Sequence, residues 1–321
     1  MWAQRMSAPG VFETVDAPAP GEVPDGGVLL RTLAGGICGS DVPKVLGVKG
    51  AVLGPRGEFA PGRPGYPLHE VVGEVVASRY PGAAVGSRVV GWAARSDALA
   101  EYVLTDGEQV HAYRPGLAPS TAVLLQPLAC VLYALDRVPV AGRDVAVLGA
   151  GPIGALFAHC AKRAGARRVT GVDPVDRASL PPLLGFDETV RTTSGNWARH
   201  LSQGERPEVV IEAVGHQVST LDHALRAAAP GGTVLHFGIP DDEVYPLNME
   251  LLMRKNLALV GGVTRERRRS LARADRHLAS HPGLPAALVT HRFERATVQR
   301  AFDVAVRASA DRMKVVLDLA E

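Results

Sequence analysis

Cysteine is scarce, with only Cys38, Cys130 and Cys160 in 321 residues. So few thiols at such spacing exclude a disulfide framework and fit a reducing compartment, which leaves each one to be explained separately. Excess charge of one sign is also missing. With 35 basic against 33 acidic residues and a net charge of +2, nothing in the balance calls for a polyanion, so nucleic acid is not an expected partner. No stretch approaches the roughly 20 apolar residues of a membrane span, and Met1-Trp2-Ala3-Gln4-Arg5-Met6 lacks the apolar core of a secretory signal. No membrane partner is expected, and the chain reads as cytoplasmic. Repeats and low-complexity tracts are absent. What is present is an ordinary globular composition, 46% hydrophobic and 21% charged, on a chain long enough for two packed domains.

Up to about residue 120, short β-rich runs alternate with Gly and Pro. Residues 28–33, 71–76 and 88–92 read as strands of a mostly β domain. Residues 47–67, rich in Gly, Pro and Arg, show no sustained period and read as a long loop. Ser120 is placed to cap a helix over 121–137 that Pro139 ends. From Arg143 the texture becomes α/β: a buried strand at 145–148, a helix over 153–164 closed by Gly165, and a second strand ending at Asp173. Further strands are expected at 209–211, 233–237 and 257–260, which together argue for a doubly wound parallel sheet. The tail adds a strand at 289–293, a helix at 297–307 and a strand at 314–317, and is expected to fold back onto the first domain.

Gly149-Ala150-Gly151-Pro152-Ile153-Gly154 follows a strand, opens a helix, and has an acid at the end of the next strand, which is the context a dinucleotide-binding turn requires. Gly149 permits the tight turn, Gly151 admits the pyrophosphate, and Gly154 lets helix and strand pack closely. After Pro152, which has no N–H and opens the helix, the N–H groups of Ile153, Gly154 and their neighbours at the helix N-terminus favour an anion. Asp173 can accept hydrogen bonds from the adenosine ribose and repels a 2′-phosphate, favouring NAD over NADP. Arg177, one helical turn on, either covers that ribose or lies in solvent.

A second constellation lies earlier: Cys38-Gly39-Ser40-Asp41 after a strand, and His69-Glu70 before another. Thiolate, imidazole and carboxylate are zinc ligands, and a catalytic zinc needs three of them plus an open position. On residue types alone, a buried cysteine and a structural histidine are the commoner outcome.

Taken together, Cys38-Gly39-Ser40-Asp41, His69-Glu70, Gln126-Pro127-Leu128, the glycine turn, Gly86-Ser87-Arg88-Val89, Ala100-Glu101-Tyr102-Val103, Pro230-Gly231-Gly232, Val289-Thr290-His291 and Lys314-Val315-Val316 resemble the medium-chain, zinc-containing alcohol dehydrogenase family, in its sorbitol dehydrogenase-like branch. The resemblance implies a Rossmann domain (134–281) inserted in a mostly β, GroES-like catalytic domain (1–133, completed by 282–321). It also implies hydride transfer between NAD and a secondary alcohol, of polyol, cyclitol or aminosugar type, on one catalytic zinc. By resemblance Cys38, His69 and Glu70 are the metal ligands. Ser40 takes the substrate proton, Asp41 orients His69, and Gly215, Gly238 and Gly262 lie near the cofactor or are simple turn glycines. A homodimer or homotetramer is expected from the same source.

Departures matter as well. The four cysteines of a structural zinc lobe would fall between Gly91 and Leu99, and none is there, so one zinc is the most that is expected. Gln126, a neutral amide, stands where a further ligand or acid often lies. Leu68 replaces the usual glycine before His69. Lys44 either meets an anionic substrate or is a solvated lysine. Cys130 and Cys160 read as packing, the run Arg265-Glu266-Arg267-Arg268-Arg269 as a solvated face, and His200, His216, His223 and His277 as surface residues. Two other readings stay open: a zinc-free quinone or enoyl reductase on the same architecture, and a non-catalytic NAD-binding regulatory protein.

Overall fold

The structure, a computed structural model, describes residues 1–48 and 62–320. Within that range the chain forms two compact units. The first draws on residues 1–48, 62–129 and 265–320, and the second runs continuously over 130–264.

The first unit is built on β1 (Trp2–Ala8), β2 (Val11–Asp16), β3 (Gly27–Ile37), β4 (Glu70–Ser78), β5 (Arg88–Trp92), β6 (Tyr102–Asp106) and β7 (Val110–Ala112). The second carries β8 (Asp144–Leu148), β9 (Arg168–Asp173), β10 (Glu188–Arg191), β11 (Val209–Glu212), β12 (Thr233–His236) and β13 (Ala258–Gly261), after which β14 (Val289–Glu294) and β15 (Lys314–Asp318) return to the first. Apart from the β1–β2 hairpin, the first unit's strands form one sheet in the order β14-β15-β3-β4-β5-β7, with β6 also on β3. Only there does β15 find a partner for each edge: parallel β14 on one side and antiparallel β3 on the other. Val28, Leu30, Val71, Val75, Val315, Leu317 and Phe302 supply its core. Phe302, on the helix Val298–Ala305, also stacks on Phe12 at 4.6 Å between ring centres, and burial of such a side chain contributes roughly 1.5–3 kcal/mol.

In the second unit all strand pairs are parallel, in the order β10-β9-β8-β11-β12-β13. This is the doubly wound dinucleotide-binding order, with its switch point between β8 and β11. The inner strands β8, β11 and β12 are short apolar runs because both faces of a parallel sheet are covered there. Leu148, Val172, Val210 and Val234 pack with Leu221, Ala224 and Leu225 of the helix Ser219–Ala227.

Several expectations shift. The segment 121–137 is a short turn of helix, Pro119–Ala122, followed by a separate helix, Leu125–Leu135. Ala118 occupies the cap, and Ser120 Oγ instead accepts from Arg292 Nη1 at 2.6 Å. The helix Arg267–Ser280 belongs to the first unit, which moves the expected boundaries at 133/134 and 281/282 to 129/130 and 264/265. Asp275 Oδ2 accepts from Arg114 N, and Arg268 Nη2 donates to Gly82 O, each at 3.0 Å. Arg267 and Arg268 also lie over the rings of Trp92 and Tyr80, at 5.1 and 4.9 Å. Arg267 and Arg268 are therefore packed on aromatic rings, while Arg265, Glu266 and Arg269 are exposed, as a solvated face requires. His200 is exposed as expected, and Cys160 is buried. His216 and His223 are only half-exposed, bonded to Asp241 and Ser194 respectively. His277 is likewise half-buried and stacks on His281. Most of the expected loop at 47–67 lies outside the described residues, and its described end bridges Gly65 to Leu99.

Candidate functional site

β3 ends at Ile37 and delivers Cys38 to the start of a single 3-10 turn, Gly39–Asp41. Asp41 is fully buried. Its Oδ2 accepts from Cys38 N and its Oδ1 meets His69 Nδ1, both at 3.0 Å. One carboxylate thus fixes the backbone of one candidate ligand and the ring of the other, leaving His69 Nε2 for a different partner. Ligand atoms of Cys38, His69 and Glu70 all lie within 4.8 Å of one another. Such a set of one thiolate, one imidazole and one carboxylate suits a catalytic zinc, which takes three protein ligands and keeps a position open.

Burial of Glu70 needs a counter-charge, and Lys314 at the head of β15 provides it. Nζ lies 2.6 Å from the Glu70 carboxylate and 3.0 Å from Ile37 O, with the Lys314 side chain only 5% exposed. Room for the carboxylate comes from Gly36, where a Cβ would sit 2.2 Å from Glu70 Oε2. Next to it, a Cβ on Gly35 would sit 2.3 Å from Leu68 Cδ2. The leucine that replaces the usual glycine before His69 is thus accommodated by a glycine on the neighbouring strand. Ser40 is half-exposed within the turn, and Gln126 is buried. Lys44 Nζ lies 3.9 Å from Asp41 Oδ1.

Electrostatics bind His69 and Asp41 to each other. Burial disfavours a charged imidazole, but the Asp41 carboxylate and its hydrogen bond, helped by Cys38, outweigh this and push His69 up to about 10. Burial likewise works against an ionised Asp41, yet His69 and then Lys44 hold its carboxyl below the usual range.

In the second unit, Gly149 turns with φ +89° and opens the helix Pro152–Arg163. A Cβ on Gly154 would lie 1.8 Å from Gly149 O, so helix and turn touch there, whereas a Cβ on Gly151 would meet nothing within 4 Å. Gly151 therefore faces open space at the helix N-terminus, with Pro152 and Ile153 following in the first turn. That is the cradle a pyrophosphate needs. Asp173 lies at the end of β9, and both its oxygens already serve the protein: Oδ2 accepts from Ala150 N at 2.9 Å and Oδ1 from Val175 N at 2.8 Å. Each carboxylate oxygen retains a second lone pair for a ribose hydroxyl. Arg177 is buried, with Nε 3.9 Å from Asp173 Oδ2, so it does not lie in solvent. Gly215 and Gly238 are not open turn positions. A Cβ on Gly238 would stand 2.3 Å from Gly215 N, because the loops after β11 and β12 press together there. Gly262, at φ +149°, adopts a conformation other residues rarely take.

The sequence carried Lys314 only as part of the resemblance phrase Lys314-Val315-Val316 and gave it no role beside Glu70. It gave no signal for Gly36 or for the 3.4 Å approach of Glu212 Oε2 to His236 Nδ1.

Comparison with known proteins bears on the family and the fold. Residues 152–280 match the zinc-binding dehydrogenase family, and residues 24–121 match the alcohol dehydrogenase GroES-like domain. An L-threonine 3-dehydrogenase of Protochlamydia amoebophila is 27% identical over 343 aligned residues, covering 98% of each chain. Among solved structures, the alcohol dehydrogenase of Thermus sp. ATN1 superposes with a TM-score of 0.81 at 22% identity, covering 100% of both chains. A putative zinc-binding dehydrogenase of Sinorhizobium meliloti 1021, solved bound to NADP, gives 0.76 at 24% identity, covering 99% of both.

Proposed function

The chain belongs to the medium-chain, zinc-containing alcohol dehydrogenase family and is an alcohol oxidoreductase, and from that premise we propose that it oxidises a secondary alcohol with NAD on a single catalytic zinc. The observation that carries this reading is the Cys38, His69 and Glu70 set, closed to within 4.8 Å, with Asp41 behind His69. Bound zinc supplies Lewis acidity at the alcohol oxygen, and bound nicotinamide supplies the hydride acceptor. With NAD as co-substrate, the proposed reaction would balance as secondary alcohol plus NAD giving ketone, NADH and one proton.

The chain's own residues do the rest. Asp41 takes up the Nδ1 side of His69, so the ring presents Nε2 to the metal. Ser40, half-exposed beside Cys38, accepts the substrate proton and passes it outward. Lys314 sets its ammonium against the buried Glu70 carboxylate and holds it in place. The turn Gly149–Gly154 and its helix bind the pyrophosphate, and Asp173 accepts from the adenosine ribose. A 2′-phosphate on that ribose would meet the Asp173 carboxylate, which favours NAD.

The substrate class is a small polar secondary alcohol: a polyol, a cyclitol or aminosugar, or a 2-amino-3-hydroxy acid such as the one named for the threonine dehydrogenase relatives. A homodimer or homotetramer in the cytoplasm is the expected working form. β13 is an edge strand with Leu259 exposed on it and Val263 exposed just beyond its end, and no helix among the described residues is long and apolar enough to cross a membrane. A screen of L-threonine, polyols and aminocyclitols, read as NAD reduction and paired with metal analysis, tests the proposal. One zinc per chain and loss of both metal and turnover in Cys38→Ala are expected. A zinc-free protein whose Cys38→Ala variant keeps full activity would overturn it.

A further inference from the structure

Glu212 is the last residue of β11 and is fully buried, yet no step above uses it. Its Oε1 accepts from Val214 N at 3.0 Å and Gly215 N at 3.1 Å, gathering the loop that leaves β11. Its main-chain oxygen accepts from Phe237 N at 2.9 Å and Gly238 N at 3.1 Å, gathering the loop that leaves β12. On the other side, Oε2 accepts no hydrogen bond among the described residues and lies 3.4 Å from His236 Nδ1. A Cβ on Gly238 would come within 2.5 Å of that oxygen. The two loops are further tied by His216 N to Ile239 O at 2.8 Å and by His216 Nδ1 to Asp241 Oδ1 at 2.5 Å. His216 adopts φ +53°, a left-handed conformation that costs a non-glycine residue energy and persists only where its surroundings impose it.

Position gives this knot its meaning. In the observed sheet order the adenosine half of a dinucleotide belongs to β8, β9 and β10, with Asp173 at the end of β9. The other half must therefore run over the carboxyl ends of β11 and β12, across the switch point. Val214 stands at that crossing, since a Cβ on Gly149 would meet Val214 Cγ2 at 3.0 Å. We propose that Glu212 is a positioning residue for the nicotinamide end of the cofactor, holding the two loops at the ends of β11 and β12 in the shape that receives it. The inference rests on reading this unit as the dinucleotide site. Oε1 binds backbone N–H groups and Oε2 faces His236 Nδ1, so the effect of Glu212 falls on how the ring is held, not on the hydride step.

Calorimetric titration of the full-length protein with NADH and with ADP separates the two halves, because ADP lacks the nicotinamide riboside. Two lost hydrogen bonds at about 1 kcal/mol each correspond to about a 30-fold change in affinity. Glu212→Ala should weaken NADH by about that factor and leave ADP within about 3-fold, a split that general loss of structure would not produce. Glu212→Gln keeps an acceptor for both N–H groups and should restore NADH to within about 3-fold of wild type. Gly238→Ala, which crowds the same knot from the other loop, should reproduce the split, and it carries the test if Glu212→Ala does not fold. Equal weakening of NADH and ADP, no weakening of either, or a Glu212→Gln protein as impaired as Glu212→Ala would overturn the proposal. Wild-type protein that binds neither ligand would overturn the dinucleotide reading and this inference with it.

Discussion

Lys314 shows how much can hang on one side chain. Among the described residues Glu70 is buried with a single cation, Lys314, against it, and removing one partner of a buried pair costs about 3–5 kcal/mol because the remaining charge is uncompensated. Lys314→Met should therefore lower stability by about that amount, read as a fall in denaturant midpoint, while Lys314→Arg should lose less. Gly36→Ala forces a methyl into the same space and should also reduce zinc content, measured by metal analysis of the purified protein. His69 adds a pH signature to the metal-free protein. Its folded value of about 10 exceeds the unfolded value near 6.5, so its contribution is complete below about 6.5 and is lost as pH rises through about 10. Metal-free protein should melt at progressively lower temperature across that window. Zinc-loaded protein, whose imidazole has already given up its proton, should not show this dependence, and at neutral pH zinc uptake should release a proton detectable by titration in buffers of different ionisation enthalpy.

Elements divide into those the sequence announces and those it does not. Five of the six strands of the second unit were legible as short apolar runs between turn residues, whereas β10 was missed because Glu188–Arg191 carries no such run. The turn at Gly149 was legible because strand, glycines, helix and acid come in a fixed order. Cys38, His69 and Glu70 were legible as types, and their convergence came from resemblance, since no local pattern brings residues from separate strands together. Ser120 was misread because a cap is chosen by backbone geometry, and Ala118 is where the chain leaves the extended conformation. Arg267 and Arg268 were misread because a charge run does not reveal the aromatic rings beneath it. The helix Ser219–Ala227 has a comparable hidden support: Lys255 Nζ donates to Leu225 O, Arg226 O and Ala228 O at 3.1, 2.7 and 2.8 Å. A cation on terminal carbonyls satisfies acceptors the helix leaves open. Lys255→Met should cost about 1–2 kcal/mol in unfolding free energy, with the loss seen as faster amide exchange in the last turn of that helix.

At the scale of the whole molecule, the two units differ in how they are cut from the chain. Residues 130–264 are continuous, whereas the first unit needs strands from before and after them. A fragment spanning 130–264 should give a cooperative thermal melt of its own and bind NADH, more weakly than the full chain. A non-cooperative melt would show that its core depends on the rest. The first unit should not form without residues 265–320, because β15 supplies both the strand between β14 and β3 and the cation for Glu70.

That last dependence has a consequence in time. Glu70 and Lys314 are 244 residues apart in the chain, so at roughly 5–20 residues per second the ribosome makes the carboxylate some 12–50 s before its counter-ion. During that interval the continuous second unit is free to fold, while the candidate metal site still lacks the cation that faces its buried Glu70. Nascent chains should therefore acquire the cofactor site first and the metal last, an order of maturation written into the placement of one lysine.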